Sequence, residues 1–144
     1  MSTTTVTAES IARRAIDIYD AQEFDRIGEV LADDYEVRVV GATFTGLVEM
    51  RGMLDGFYTA FPDLKHHVLA AIGTTDPNET VFEIRVNATH LGPYHGPAGI
   101  VEPSGNPVEW FSGNVIRSDG HKLRSWNIYL DQVPVLQQIG YQFK

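Results

Sequence analysis

Asp131 is the first residue in this sequence with the makings of an acid/base catalyst. A carboxylate takes a proton from carbon beside a carbonyl only when desolvation raises its pKa. The end of a strand facing an apolar cavity would supply that desolvation. Along a strand, Asn127, Tyr129 and Asp131 share one face, and Trp126, Ile128 and Leu130 share the other. The polar set would put an amide and a phenol beside the acid, where they could hold an enolate oxygen. Asp131 also stands two residues before Val133-Pro134, a pattern suited to capping a short helix. The two roles do not exclude each other.

His90 is the second candidate, because imidazole shuttles protons near neutral pH. It ends a strand beside a glycine-rich loop, so it is equally suited to hydrogen-bonding that loop. His66 and His67 are adjacent on a strand and face opposite ways, so they cannot chelate together. One of them enters the pocket, and His67 is assigned as the substrate contact. No spacing among His66, His67, His90, His95 and His121 makes a metal site, so no metal is expected. Trp110, Ser112 and Asn114 form a row on the next-to-last strand that could hold a flat ring, although Trp110 alone would serve as core. From the helical half, Tyr19, Tyr35, Met53, Phe57 and Tyr58 could close a pocket or simply pack. Tyr35 and Phe57 are assigned to substrate.

These residues need elements to position them. Thr7 reads as an N-cap, and Ile11, Ala15, Ile18 and Tyr19 give residues 8–19 one buried helical face. A shorter helix is expected over 24–31. Tyr35, Val37 and Val39 alternate with Glu36 and Arg38, which predicts a strand over 35–40. Gly41 and Gly46 bracket a turn, and a third helix over 47–61 stops before Pro62. Four strands follow at 64–73, 80–90, 107–118 and 122–131, then a short helix at 133–139. Asp119-Gly120 is a hairpin signal. Helices ahead of an antiparallel or mixed sheet mean an α+β class. A long sheet curls, and curling around three N-terminal helices encloses a pocket. Residues 1–144 are read as one domain whose first six residues fray.

The net charge of −8 argues against nucleic acid and anionic membrane as partners. Without cysteine there is no disulfide, thiol nucleophile or thiolate metal site. The N-terminus lacks the basic start and apolar run of a secretory signal, and no stretch approaches a membrane span, so a cytoplasmic location is expected.

Five stretches resemble the SnoaL-like polyketide cyclase family of the NTF2-like fold: Tyr19 to Asp25, Leu31 to Tyr35, Phe61-Pro62-Asp63-Leu64, Ala88 to Gly96, and Tyr129 to Gln132 with Leu136 to Gly140. Ala88 replaces a glycine of the family pattern. The resemblance covers nearly the whole chain. It implies an α+β cone, a homodimer or homotetramer, and a hydrophobic small-molecule substrate. It also implies ring closure by intramolecular aldol condensation with a pocket carboxylate and without cofactor. Ketosteroid isomerase chemistry would need a phenol where Ala15 stands and a base where Val39 stands, so it is disfavoured. An epoxide hydrolase would need Asp-Arg-Asp, which Glu83, Arg85, Asn87 and Asp131 match only in part. A non-catalytic binding module is the remaining alternative. The segment 92–99 is a candidate lid.

Overall fold

The computed structural model describes residues 6–96 and 99–142. The expectation for the start of the chain, and the part of the 92–99 lid that falls on Pro97 and Ala98, lie outside them. Helix α1 (Ala8–Asp20) starts at Thr7, whose hydroxyl accepts the Ser10 N–H at 3.2 Å. The Ser10 hydroxyl in turn donates to the Thr7 carbonyl at 2.9 Å. The expected second helix is a 3₁₀ turn over Phe24–Glu29 without a side-chain cap. Leu31 already begins strand β1 (Leu31–Val39), four residues earlier than alternation indicates, because exposed Asp33 and Asp34 interrupt the pattern inside the strand.

Val40 and Gly41 both have positive φ and join β1 to β2 (Ala42–Thr45) in a two-residue hairpin. The four residues of β2, read as part of a turn in the sequence, are too few to display a period. Helix α2 (Gly46–Ala60) ends one residue before Phe61-Pro62. Strands β3 (Lys65–Gly73), β4 (Glu79–Thr89), β7 (Pro107–Ser118) and β8 (Leu123–Tyr129) follow, with a small ribbon of β5 (Tyr94–Gly96) and β6 (Gly99–Val101) inside the expected loop. Helix α3 (Gln132–Gln138) closes the chain.

The large sheet runs β2-β1-β8-β7-β4-β3. Only the β1–β8 pair is parallel, so the sheet is mixed and the first long strand lies beside the last. On β4, Thr80, Phe82, Ile84, Val86 and Ala88 are buried beneath the helices, while Glu83, Arg85 and Asn87 alternate with them on the outer face. Each fully buried side chain of the Phe82 or Ile84 kind contributes about 1.5–3 kcal/mol. Gly92 packs against the end of α2, where a Cβ would collide with the Thr59 carbonyl. The Leu91 and Gly92 N–H groups both donate to the Ala60 carbonyl, at 3.0 and 3.1 Å. Among the described residues, no helix is long and apolar enough to cross a membrane.

Candidate functional site

A cavity of about 120 Å³ lies between the sheet and helices α1 and α2. One water needs only roughly 10–15 Å³ on this measure, so the space suits a multi-atom guest. Its wall is mostly apolar: Ile16, Val37, Leu54, Phe61, Ile84, Val86 and Ile128 all border it. Trp110 packs edge-on to Phe61, with ring centroids 5.7 Å apart. Phe61 and Phe57 also contact Tyr94 of β5, at 5.8 and 6.4 Å. Tyr94 is thereby held at the cavity, where its hydroxyl accepts from Gln132 Nε2 at 2.9 Å. Of the described residues of the 92–99 segment, Tyr94 borders the cavity.

Polar groups border the cavity in two clusters. On the sheet side, Asn114 is buried and bonded throughout. Its Oδ1 accepts the Trp126 indole N–H at 2.8 Å. Its Nδ2 donates to the Phe82 carbonyl at 3.2 Å and to Ser112 Oγ at 3.0 Å.

On the helix side, Asp20 ends α1 and meets residues from α2 and β3. Its Oδ1 accepts the Tyr58 hydroxyl at 2.9 Å and His66 Nδ1 at 2.7 Å, and its Oδ2 accepts the His66 backbone N–H at 2.9 Å. A carboxylate in the last residue of a helix is opposed by the helix dipole, so these bonds must hold it. Burial works to raise the Asp20 pKa, but His66 and Tyr58 outweigh it and keep the carboxyl below the ordinary range. An ionised Asp20 only accepts, so His66 Nδ1 carries the proton. Nε2 is then the basic nitrogen of a ring that borders the cavity.

Next to this pair, Tyr19 and Tyr35 also line the cavity. Both are buried, and burial pushes both phenols upward, so both keep their protons at neutral pH. Their hydroxyls lie near enough to perturb each other, yet Tyr19 Oη has no partner in hydrogen-bonding geometry. A buried hydroxyl left in that state costs about 1–3 kcal/mol.

Of the residues assigned from sequence, Trp110, Ser112, Asn114, Tyr35 and Phe57 line the cavity. Five others do not. Asn127, Tyr129 and Asp131 stand on the opposite face of β8 and its extension, because Trp126, Ile128 and Leu130 are the apolar set and turn inward. Tyr129 is 60% exposed. Asp131 is exposed and caps α3, accepting the Val133 N–H at 3.0 Å. That cap supports the helix whose Gln132 and Val135 reach the cavity. His67 is exposed beside Arg85 on the outer face, and its neighbour His66 is the one that enters.

His90 is wholly buried but behind Phe61, with rings 5.7 Å apart, rather than in the wall. Its Nδ1 accepts the Ser104 N–H at 3.1 Å and pins the loop before β7. Glu83, Arg85 and Asn87 do not reach the cavity either, since Ile84 and Val86 are the inward residues of β4. Asp20 was not singled out as a candidate by type and spacing. Its one signal is its unfavourable place at the C-terminal end of α1. Among the described residues, no three histidine or acidic side chains converge as a metal site.

The family model for SnoaL-like polyketide cyclase matches residues 9–139. Solved structures match in fold. A SnoaL-like polyketide cyclase from Agrobacterium tumefaciens is 22% identical, with 94% of this chain and 99% of that one covered and a TM-score of 0.75. TsrD from Streptomyces laurentii is 13% identical, with 98% and 100% covered and a TM-score of 0.79. A protein with a ketosteroid isomerase-like fold from Catenulispora acidiphila, in complex with trimethylamine, is 17% identical, with 94% and 96% covered and a TM-score of 0.75. The search of curated proteins returns no match.

Proposed function

The chain belongs to the SnoaL-like polyketide cyclase family, and from that premise we propose that it catalyses proton transfer next to a carbonyl on a hydrophobic small molecule, with aldol-type ring closure as the complete reaction. The observation that carries this reading is the 2.7 Å contact between Asp20 Oδ1 and Nδ1 of His66, whose ring borders an apolar cavity. His66 Nε2 takes a proton from the carbon beside a carbonyl, breaking that C–H bond and leaving an enolate. Asp20 stabilises the imidazolium that results, as a carboxylate does for a histidine base. The enolate carbon attacks a second carbonyl of the same molecule, forming a C–C bond. The proton on His66 passes to the new alkoxide, so the reaction balances with no other reactant. The apolar wall excludes water that would otherwise compete for the proton.

The test is hydrogen–deuterium exchange beside the carbonyl of β-tetralone in D2O, followed by NMR. Wild-type protein is expected to exchange the ketone above the buffer rate. His66→Gln is expected to lose about 100-fold or more of that rate, and Asp131→Asn to keep it. Unchanged exchange in His66→Gln overturns the assignment. Loss in Asp131→Asn alone would return the acid/base role to the α3 cap.

A further inference from the structure

We propose that Tyr19 and Tyr35 form an oxygen-binding subsite, which selects ligands that present one carbonyl or enolate oxygen at the helix side of the cavity. The two phenols come from different elements, α1 and β1, yet both border the same space. Tyr58, from α2, already donates to Asp20 and is committed. Tyr19 Oη is buried and unpartnered, although a phenylalanine would fill the same volume without a polar atom. Packing therefore accounts for the Tyr19 ring but not for its hydroxyl, and the Tyr35 phenol lies close enough to act on the same ligand atom.

Two neutral phenols carry two O–H donors. A carbonyl oxygen has two lone pairs and accepts both. An enolate or phenolate oxygen accepts them more strongly, because hydrogen bonds to an ionised acceptor are shorter and stronger. A donor-only or cationic group gains nothing from them. The fitting ligand is thus largely apolar, with one oxygen acceptor. Tyr19 and Tyr58 are close enough for the Asp20-bound phenol to feel Tyr19, so a bound oxygen would lie beside the Asp20–His66 pair. The inference goes beyond the acid/base reading and does not need it, since binding alone reads it.

Acetophenone and ethylbenzene are near-isosteres that differ by the carbonyl oxygen, so their dissociation constants isolate its contribution. Wild-type protein is expected to favour acetophenone over ethylbenzene about tenfold more than the Tyr19→Phe/Tyr35→Phe double variant does, the factor set by roughly one buried hydrogen bond. Ethylbenzene affinity should stay the same in both, which reports an intact cavity. The infrared carbonyl band of bound acetophenone should lie below its position in hydrocarbon solvent, and should return toward that position in the double variant. His66→Gln should keep both the preference and the band shift, so the two proposals can fail separately. Equal preferences in wild type and double variant, a band at the hydrocarbon position, or no measurable acetophenone binding overturns the subsite.

Discussion

Asn114 and Tyr19 face the same cavity from opposite sides, and the chain completes their hydrogen bonding differently. Around Asn114, the Trp126 indole, the Phe82 carbonyl and Ser112 use the amide on both its atoms. Around Tyr19, Asp20 and His66 are bonded to each other, but the Tyr19 hydroxyl is open and His66 Nε2 is the basic nitrogen. Folding selects for satisfied polar groups, since each buried orphan costs stability. A closed network at a cavity is therefore expected to act in folding. An open one signals a group kept for something outside the chain. The contrast makes stability and ligand binding separable by mutation.

The largest effect on stability is expected from the closed side. Asn114→Ala strands the Trp126 N–H in the interior and removes the bonds to Phe82 and Ser112. The loss should be about 2–3 kcal/mol, read as a drop of roughly 5–10 °C in the unfolding midpoint by circular dichroism. Tyr19→Phe in the same assay should leave the midpoint unchanged or raise it, because it deletes an orphan. A similar loss in both variants would break the comparison.

Asp20 gives the next effect and sharpens the contrast through pH. Its folded pKa lies below the ordinary 3.8. Its contribution is therefore fully present above the unfolded value and is lost as pH falls through the folded one. Asp20→Asn should destabilise at neutral pH by about 1–3 kcal/mol, as for a charged hydrogen bond. The gap to wild type should narrow on acidification below about pH 4. Denaturant unfolding at several pH values measures it. A gap independent of pH would mean that the carboxylate charge contributes nothing.

How far the sequence carries can be argued from the residues on either side of this contrast. Helix periodicity and strand alternation single out Phe57, Tyr35, Trp110, Ser112 and Asn114, and all five border one cavity. Alternation sorts a strand into two sets but does not say which set faces in. On β8 the apolar set, Trp126, Ile128 and Leu130, turns inward, and the chemically richer polar set turns out. On β3 the choice between His66 and His67 is less marked, because the register shifts between Val68 and Ala70 and parity along the strand is lost. Asp20 is hidden for another reason. Its partners stand 38 and 46 residues away, and only the packing of α1 against α2 and β3 brings them together. The fold follows from local patterns, whereas the open half of the site depends on long-range contacts.

His90 combines both conditions in one ring and gives the smallest expected effect. Its Nδ1 is satisfied by the Ser104 N–H, while its Nε2 is buried without a partner in good geometry. Burial holds its pKa below the ordinary 6.5, and the nearby Val101 and Gly92 carbonyls offset this only in part. The unfolded chain therefore takes up a proton near pH 6.5 that the folded ring refuses. Stability is complete above that value and falls as pH drops from 6.5 to the folded pKa, with a slope no steeper than about 1.4 kcal/mol per pH unit. Protonation would also set an N–H against the Ser104 N–H and release the loop that His90 pins. His90→Asn, whose Oδ1 can still accept from Ser104, should flatten the midpoint-versus-pH curve in that window. Amide exchange at Ser104, corrected for its intrinsic pH dependence, should rise on acidification in the wild type alone. A wild-type curve already flat from pH 7 downward would mean that the folded ring takes up its proton as readily as the unfolded chain. His90 would then be no closed structural group, and its open Nε2 would place it with Tyr19 instead.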